Sequence, residues 1–247
     1  MTDSHRSEAI AIYNEDSLNT LNRGITKSEG SFALILARCN YASLRERIVQ
    51  QLHNQCTVEV QELFLDQSDK TLYTTIEAKL GQEQPSALMV FGLESVKALD
   101  QVLVATNRVR EEFRNFTFPL VLWVTDEVLQ KLIRLAPDFH SWATIVEFAI
   151  RTDELIHFIQ ETTDEVFTKV LDAGTSLFLD NAALNLGIGS PRRTELESAY
   201  RELQSQGVSL NPELEASLEF VLGRDADDSL DESRQHYERS CSRGRSP

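Results

Sequence analysis

The sequence predicts an α/β protein: a three-layer sandwich around a mostly parallel five-stranded sheet, followed by a C-terminal all-helical segment. Three observations carry that expectation. Short apolar or alternating runs recur at residues 32–36, 57–65, 87–91, 119–124 and 143–150, each of strand length. Stretches with helical spacing separate them, which is the rhythm of parallel strands joined by crossover helices. Beyond residue 152 the helical spacing continues without another strand run.

The elements are taken in chain order. Residues 1–30 are polar, with a lead-in helix over 9–23 whose apolar positions include Ile10, Ile12, Leu18 and Leu21. Phe32 to Leu36 is a continuous apolar run, as for a strand buried on both faces. After a polar turn, Leu44, Ile48, Val49 and Leu52 mark one side of a helix packed back on that strand. Residues 57–65 alternate β-branched and polar residues before turning apolar, which places them nearer a sheet edge. A helix over 70–80 ends at Gly81. Pro85 introduces the third strand, 87–91, which stops at Gly92. The longest helix is expected over 95–115, with Val96, Leu99, Leu103, Val109 and Phe113 inward and Arg108, Arg110 and Arg114 interleaved with Glu111 and Glu112 as an ion-paired face. Pro119 opens the fourth strand, and Thr125 with Asp126 and Glu127 reads as an N-cap with acids in the first turn. Pro137 breaks that helix, Trp142 leads into the fifth strand, and Thr152 and Asp153 cap the helix after it. Leu155, Ile156, Ile159, Val166, Val170 and Leu171 then form one stripe, continued by LFLDNAALNL. In GIGSPRR, residues 187–193, the glycines and arginines admit an anion cradle. A glycine C-cap with Ser190 and Pro191 opening the next helix explains them more simply.

The composition narrows the function. At 247 residues with 41% hydrophobic content the chain can bury a core. Its formal charge of -15 opposes a nucleic-acid or anionic-membrane role. No uncharged apolar stretch is long enough to span a bilayer and no secretory signal is apparent, so the cytoplasm is the expected location. Cys39, Cys56 and Cys241 have neither disulfide-framework nor zinc-knuckle spacing. Cys39 is expected to be a small buried core residue. His53, His140, His157 and His236 show no ligand spacing.

The first strand, turn and helix have the outline of a phosphate-binding unit, but not its chemistry. Such turns use glycines whose N–H groups face the anion and a lysine that reaches it. The turn here reads Ala37, Arg38, Cys39, Asn40, Tyr41, Ala42, Ser43, with no glycine between Gly30 and Gly81 and no lysine between Lys27 and Lys70. Arg38 leaves the turn too early to curl over a γ-phosphate. In ALMVFGLES, Phe91 stands where a magnesium-holding acid is needed, Ser95 where a second acid belongs, and only Glu94 lies between. An apolar ring cannot organise a hydrated cation. Losing one charge-assisted contact costs roughly 1.5–3 kcal/mol, which leaves room for residual ATP and magnesium binding. Arg38, Asn40, Glu94 and Thr125 are the residues left to make such contacts. No catalytic residue and no metal ligand is assigned.

The succession of strands along the chain, FALILAR, ALMVFGLES and FPLVLWVTDEVLQKLIRLAPDFHSWA together resemble the NTPase-like domain of bacterial STAND-type signalling proteins, multidomain P-loop proteins related to AAA+ ATPases. DESRQHYERS, 231–240, is similar to the second helix of a tetratricopeptide repeat. The likeness covers about residues 30–240 at the level of layout. Of the family's second acidic motif only Gly92, Leu93 and Glu94 fit, and its glycine and lysine motif finds no match. The expected organisation is a polar helical lead-in (1–30) and a polar, disordered tail (241–247) flanking what the resemblance implies, an NTPase-like domain (31–151) and a helical segment ending in the tetratricopeptide-like helix (152–240). It also implies a regulatory role in which the helical part binds protein partners, with a homo-oligomer as a further arrangement. The expected function is a non-catalytic interaction module of a tetratricopeptide-repeat signalling protein, complete or shortened. The alternative is a divergent STAND-type ATPase switch.

Overall fold

In the computed structural model, residues 14–81, 83–173, 181, 183–187 and 189–223 are described. The lead-in residues Ile10 and Ile12, half of LFLDNAALNL (177–180 and 182), the tetratricopeptide-like stretch 231–240, His236, Cys241 and the tail lie outside them. The chain divides into two units, Met1–Ala149 and Ile150–Pro247.

Five parallel strands build the first unit: β1 (Ala33–Arg38), β2 (Val60–Phe64), β3 (Ala87–Phe91), β4 (Pro119–Val124) and β5 (Ala143–Glu147). Their order is β2-β3-β4-β1-β5, so β1 pairs with β4 and β5, neither adjacent in sequence. Leu34 and Leu36 face one side of the sheet, where they join Leu88, Val90, Leu120 and Leu122 in the main core. That core is closed by α3 (Leu72–Leu80), α4 (Leu99–Arg108), α5 (Asp126–Leu135) and the short α6 (Pro137–His140). Ile35 and Ala37, one residue out of phase, face the other side. There α1 (Glu15–Lys27) lies over β1 and β5, and α2 (Ala42–Gln55) lies beside α1. The α/β sandwich read from the sequence is therefore present, with helices on both faces of a parallel sheet.

Two expectations change. The helix expected over 95–115 is broken into a 3₁₀ turn Leu93–Ser95, α4, and a second 3₁₀ turn Arg110–Asn115. The physical cause is a cluster of rings. Phe113 and Phe116 both insert into the core with their rings 5.9 Å apart, and a spacing of three residues suits the tighter helix. Val109 is left 39% exposed instead of inward. The charged face does pair, Arg114 with Glu111 at 3.3 Å and Arg110 with Asp138 at 3.7 Å, while Arg114 also lies 4.4 Å over the Trp142 ring. The lead-in helix starts at Glu15 and runs to Lys27, burying Ile25 in addition to Leu18 and Leu21.

The second unit contains α7 (Thr152–Ala173), α8 (Pro191–Ser205) and α9 (Pro212–Gly223). Leu155, Ile159 and Val166 are buried as the stripe requires, but Leu171 is 76% exposed. Ser190 caps α8 by accepting from Arg193 N, and Pro191 takes the first helical position. Arg193 is buried and spends its guanidinium on Glu197 (2.8 Å) and the Leu222 carbonyl (3.0 Å), and Asn181 donates to the Val221 carbonyl (3.0 Å). Arg192 pairs with Glu165. Both arginines of GIGSPRR thus serve helix ends and carboxylates. Among the described residues no helix is long and apolar enough to cross a membrane.

Candidate functional site

In an open parallel sheet, ligands enter beyond the carboxyl ends of the strands where neighbouring strands send their connections in opposite directions. The connection from β1 runs across to β2 at one edge, whereas that from β4 passes over β1 to β5 at the other. The switch point lies between β1 and β4. Arg38, Cys39, Asn40 and Tyr41 leave β1 there, and Thr125 and Asp126 leave β4.

Side chains fill this place. The ladder runs on past β1, with Cys39 N donating to Val124 O (2.9 Å) and Phe148 N to Arg38 O (2.9 Å). Cys39 and Tyr41 are each 2% exposed, and the Cys39 thiol lies 3.3 Å from Tyr41 O. Asn40 reaches across to the start of α5: its Nδ2 donates to Asp126 Oδ2 and its Oδ1 accepts from Asp126 N, both at 2.9 Å. Arg38 Nε donates to Asp126 Oδ1, and its Nη1 pairs with Glu147 Oε1 at 3.0 Å. One guanidinium therefore joins the carboxyl ends of β1, β4 and β5. The Asp126 hydrogen bond, followed by the charges of Asp126 and Glu147, raises the Arg38 pKa against the opposing effect of burial. Thr125 Oγ1 accepts from Val128 N at 3.4 Å, so it caps α5 as the sequence suggests.

Glu94 belongs to a different arrangement. Gly92 adopts φ 88° and lets the chain turn sharply off β3 into the 3₁₀ turn that carries Glu94. Its Oε1 accepts from Arg45 Nη1 of α2 at 2.8 Å, with that guanidinium 6.0 Å from the Phe91 ring centroid. Phe91 in turn is the second rung of a ladder of rings. Phe64 stacks on Phe91 (4.9 Å, 16°), Phe91 on Trp123 (6.0 Å, 10°), and Trp123 on Phe148 (5.5 Å, 27°). Ala37 sits between β4 and β5 in register with Trp123 and Val146. Its small side chain leaves room for the indole and Phe148 to meet across β1.

The four residues singled out from sequence are thus distributed unequally. Arg38, Asn40 and Thr125 converge on the first turn of α5, while Glu94 is engaged by Arg45. Sequence reasoning missed Asp126 as the common partner, since it read as an ordinary first-turn acid, and it missed Glu147, Arg45 and the ring ladder. Only the strand order brings these together. The donor set does not fit a magnesium nucleotide. A carboxylate already neutralises the one cation of the turn, an amide occupies the first N–H of α5, and a stacked ring holds the acid's place. Among the described residues no group of three or more His, Cys, Asp or Glu is arranged to hold a metal ion.

No family model matches the chain, and no curated protein matches it. Among solved structures it is similar to the ORC2 protein of Aeropyrum pernix in an ADP form, at 14% identity and a TM-score of 0.37 over 89% of this chain and 69% of that one. It is also similar to two variants of RuvB from Thermotoga maritima. One shows 16% identity and a TM-score of 0.34 over 81% of this chain and 64% of RuvB. The other shows 15% and 0.34 over 94% and 68%. At these identities and TM-scores the likeness assigns neither activity nor ligand.

Proposed function

We propose that the chain is a non-catalytic, NTPase-like interaction module of a regulatory protein. Its α/β scaffold is retained, its phosphate-binding crevice is given over to its own side chains, and its helical C-terminal part engages protein partners. The observation that supports this reading is the pair of side chains, Arg38 and Asn40, both committed to Asp126 across the switch point. A ligand phosphate there would have to displace a carboxylate that is covalently part of the site. The setting that accompanies this reading is a tetratricopeptide-repeat signalling protein of the cytoplasm, able to self-associate, with neither nucleic acid nor membrane as partner. Isothermal titration of the whole chain with Mg-ATP tests it. No binding heat is expected, and micromolar affinity together with turnover overturns it.

A second reading is favoured by one observation, the convergence of Arg38, Asn40 and Thr125 on a single helix start. In it the chain is a divergent STAND-type switch that opens to take ATP, with Glu94 as its remaining acid. Arg38→Ala combined with Glu94→Gln separates the two. An ATP-dependent signal that disappears in the double variant favours the switch, and no signal in the parent chain ends it.

A further inference from the structure

We infer that the outer edge of β2 is a docking site for an extended, basic segment of a partner protein, which adds to the sheet as a sixth strand. This surface is independent of the β1–β4 crevice. Strand β2 is paired through β3 alone, and among the described residues its other edge has no ladder partner. Leu65 N donates to Phe91 O, so residues 61, 63 and 65 turn their backbone groups to β3. Val60, Glu62 and Phe64 therefore turn theirs outward.

Proteins blunt such edges, often with lysine. Here Lys79 donates to the Phe64 carbonyl (2.5 Å) and pairs with Asp66 (3.2 Å), which closes the C-terminal end of the strand. The Glu62 carboxylate pairs with His53 of α2 (2.8 Å), but among the described residues no side chain hydrogen-bonds the backbone of Val60 or Glu62. Beside that unguarded end lies a groove of about 520 Å³ lined by Glu59, Gln61, Glu83, Gln84, Pro85 and Ser86. Its two ionisable residues are both acidic, both exposed, and without an ion-pair partner among the described residues. The whole chain carries a formal charge of -15.

Backbone groups facing out and carboxylates alongside select one occupant. An extended strand presents alternate side chains to one side. Lysine or arginine at those alternate positions meets Glu59 and Glu83 while the main chain pairs with Val60 and Glu62. The closed Lys79 end sets where the added strand must stop.

The test uses the intact, isotope-labelled chain and a short capped peptide of alternating valine and arginine, with alternating valine and glutamate as control. Amide shifts are expected at residues 59–62 and 83–86 with the basic peptide only, fading as salt is raised. Glu62→Pro removes an outward N–H without touching the bonds to β3, and proline is tolerated on an edge. It should abolish binding, whereas Glu62→Ala, which loses only the side chain, should retain it. Glu59→Gln with Glu83→Gln should weaken binding about tenfold, and this pair decides the matter if the proline variant does not fold. Shifts elsewhere, equal binding of the acidic peptide, equal binding by the proline and alanine variants, or no binding at all overturns the assignment.

Discussion

Asn40 makes two hydrogen bonds to one residue 86 positions away, and each does a different job. Its carbonyl satisfies the first backbone N–H of α5, and its amide fixes the carboxylate that holds Arg38. Asn40→Ala leaves that half-buried N–H without its acceptor and frees Asp126 to move. The expected loss is about 1–3 kcal/mol, read as a shift of the urea midpoint with unchanged slope. Phe91 makes the opposite point about restoring a motif. Phe91→Asp would put an acid where the resemblance seeks one, but that acid would lie between Phe64 and Trp123, in a site only 5% exposed. We expect at least about 3 kcal/mol of destabilisation and no magnesium binding by titration, whereas Phe91→Leu should cost about 1–2 kcal/mol. Gly92 is held at φ 88°, where an added Cβ would come within 3.1 Å of Leu65 O. Gly92→Ala should cost about 1–3 kcal/mol in the same measurement.

Between elements, the clearest pH-dependent contact joins α7 to α8. The hydrogen bond from Arg192, and after it that from Lys169, lowers the Glu165 pKa from 4.5 to about 2. A carboxylate with a depressed folded pKa adds stability that is complete above its unfolded value and is lost as pH falls through the folded one. The contribution should therefore fade between about pH 4.5 and pH 2. Because Glu165 is 40% exposed, solvent screening keeps it below about 1 kcal/mol. Glu165→Gln should flatten that part of the acid-unfolding curve, lowering stability at pH 7 by up to about 1 kcal/mol and leaving stability near pH 2 unchanged. Elements differ in how far the sequence announces them. Strands β3 and β4 fall on residues 87–91 and 119–124, because a strand buried on both faces is a continuous apolar run and proline marks its start. The N-caps at Thr125 and Ser190 are equally legible, since capping is local chemistry. The break in 95–115 is not, because apolar residues at helical spacing cannot distinguish one helix from two 3₁₀ turns flanking a shorter one. The clasp at the switch point is hidden for a stronger reason. Asn40 and Asp126 become neighbours only through strand order, which no local pattern encodes.

At the scale of the molecule, a charge of -15 sets a background of self-repulsion. Raising salt from about 0.01 to 0.15 M at pH 7 shortens the screening length from about 30 to 8 Å, so thermal stability should rise over that range. A falling midpoint would mean that ion pairs such as Arg45–Glu94 outweigh the repulsion. The position of β1 has a further consequence, for synthesis. Of the described strands it is translated first, yet both its neighbours come late: Ala33 is in register with Pro119, and Leu34 with Ala143. Translation at about 5–20 residues per second leaves ALILAR without a mate for on the order of ten seconds on the ribosome. A strand paired on both sides in the finished sheet is, in the nascent chain, a bare apolar ribbon, and that interval is when a chaperone would meet it.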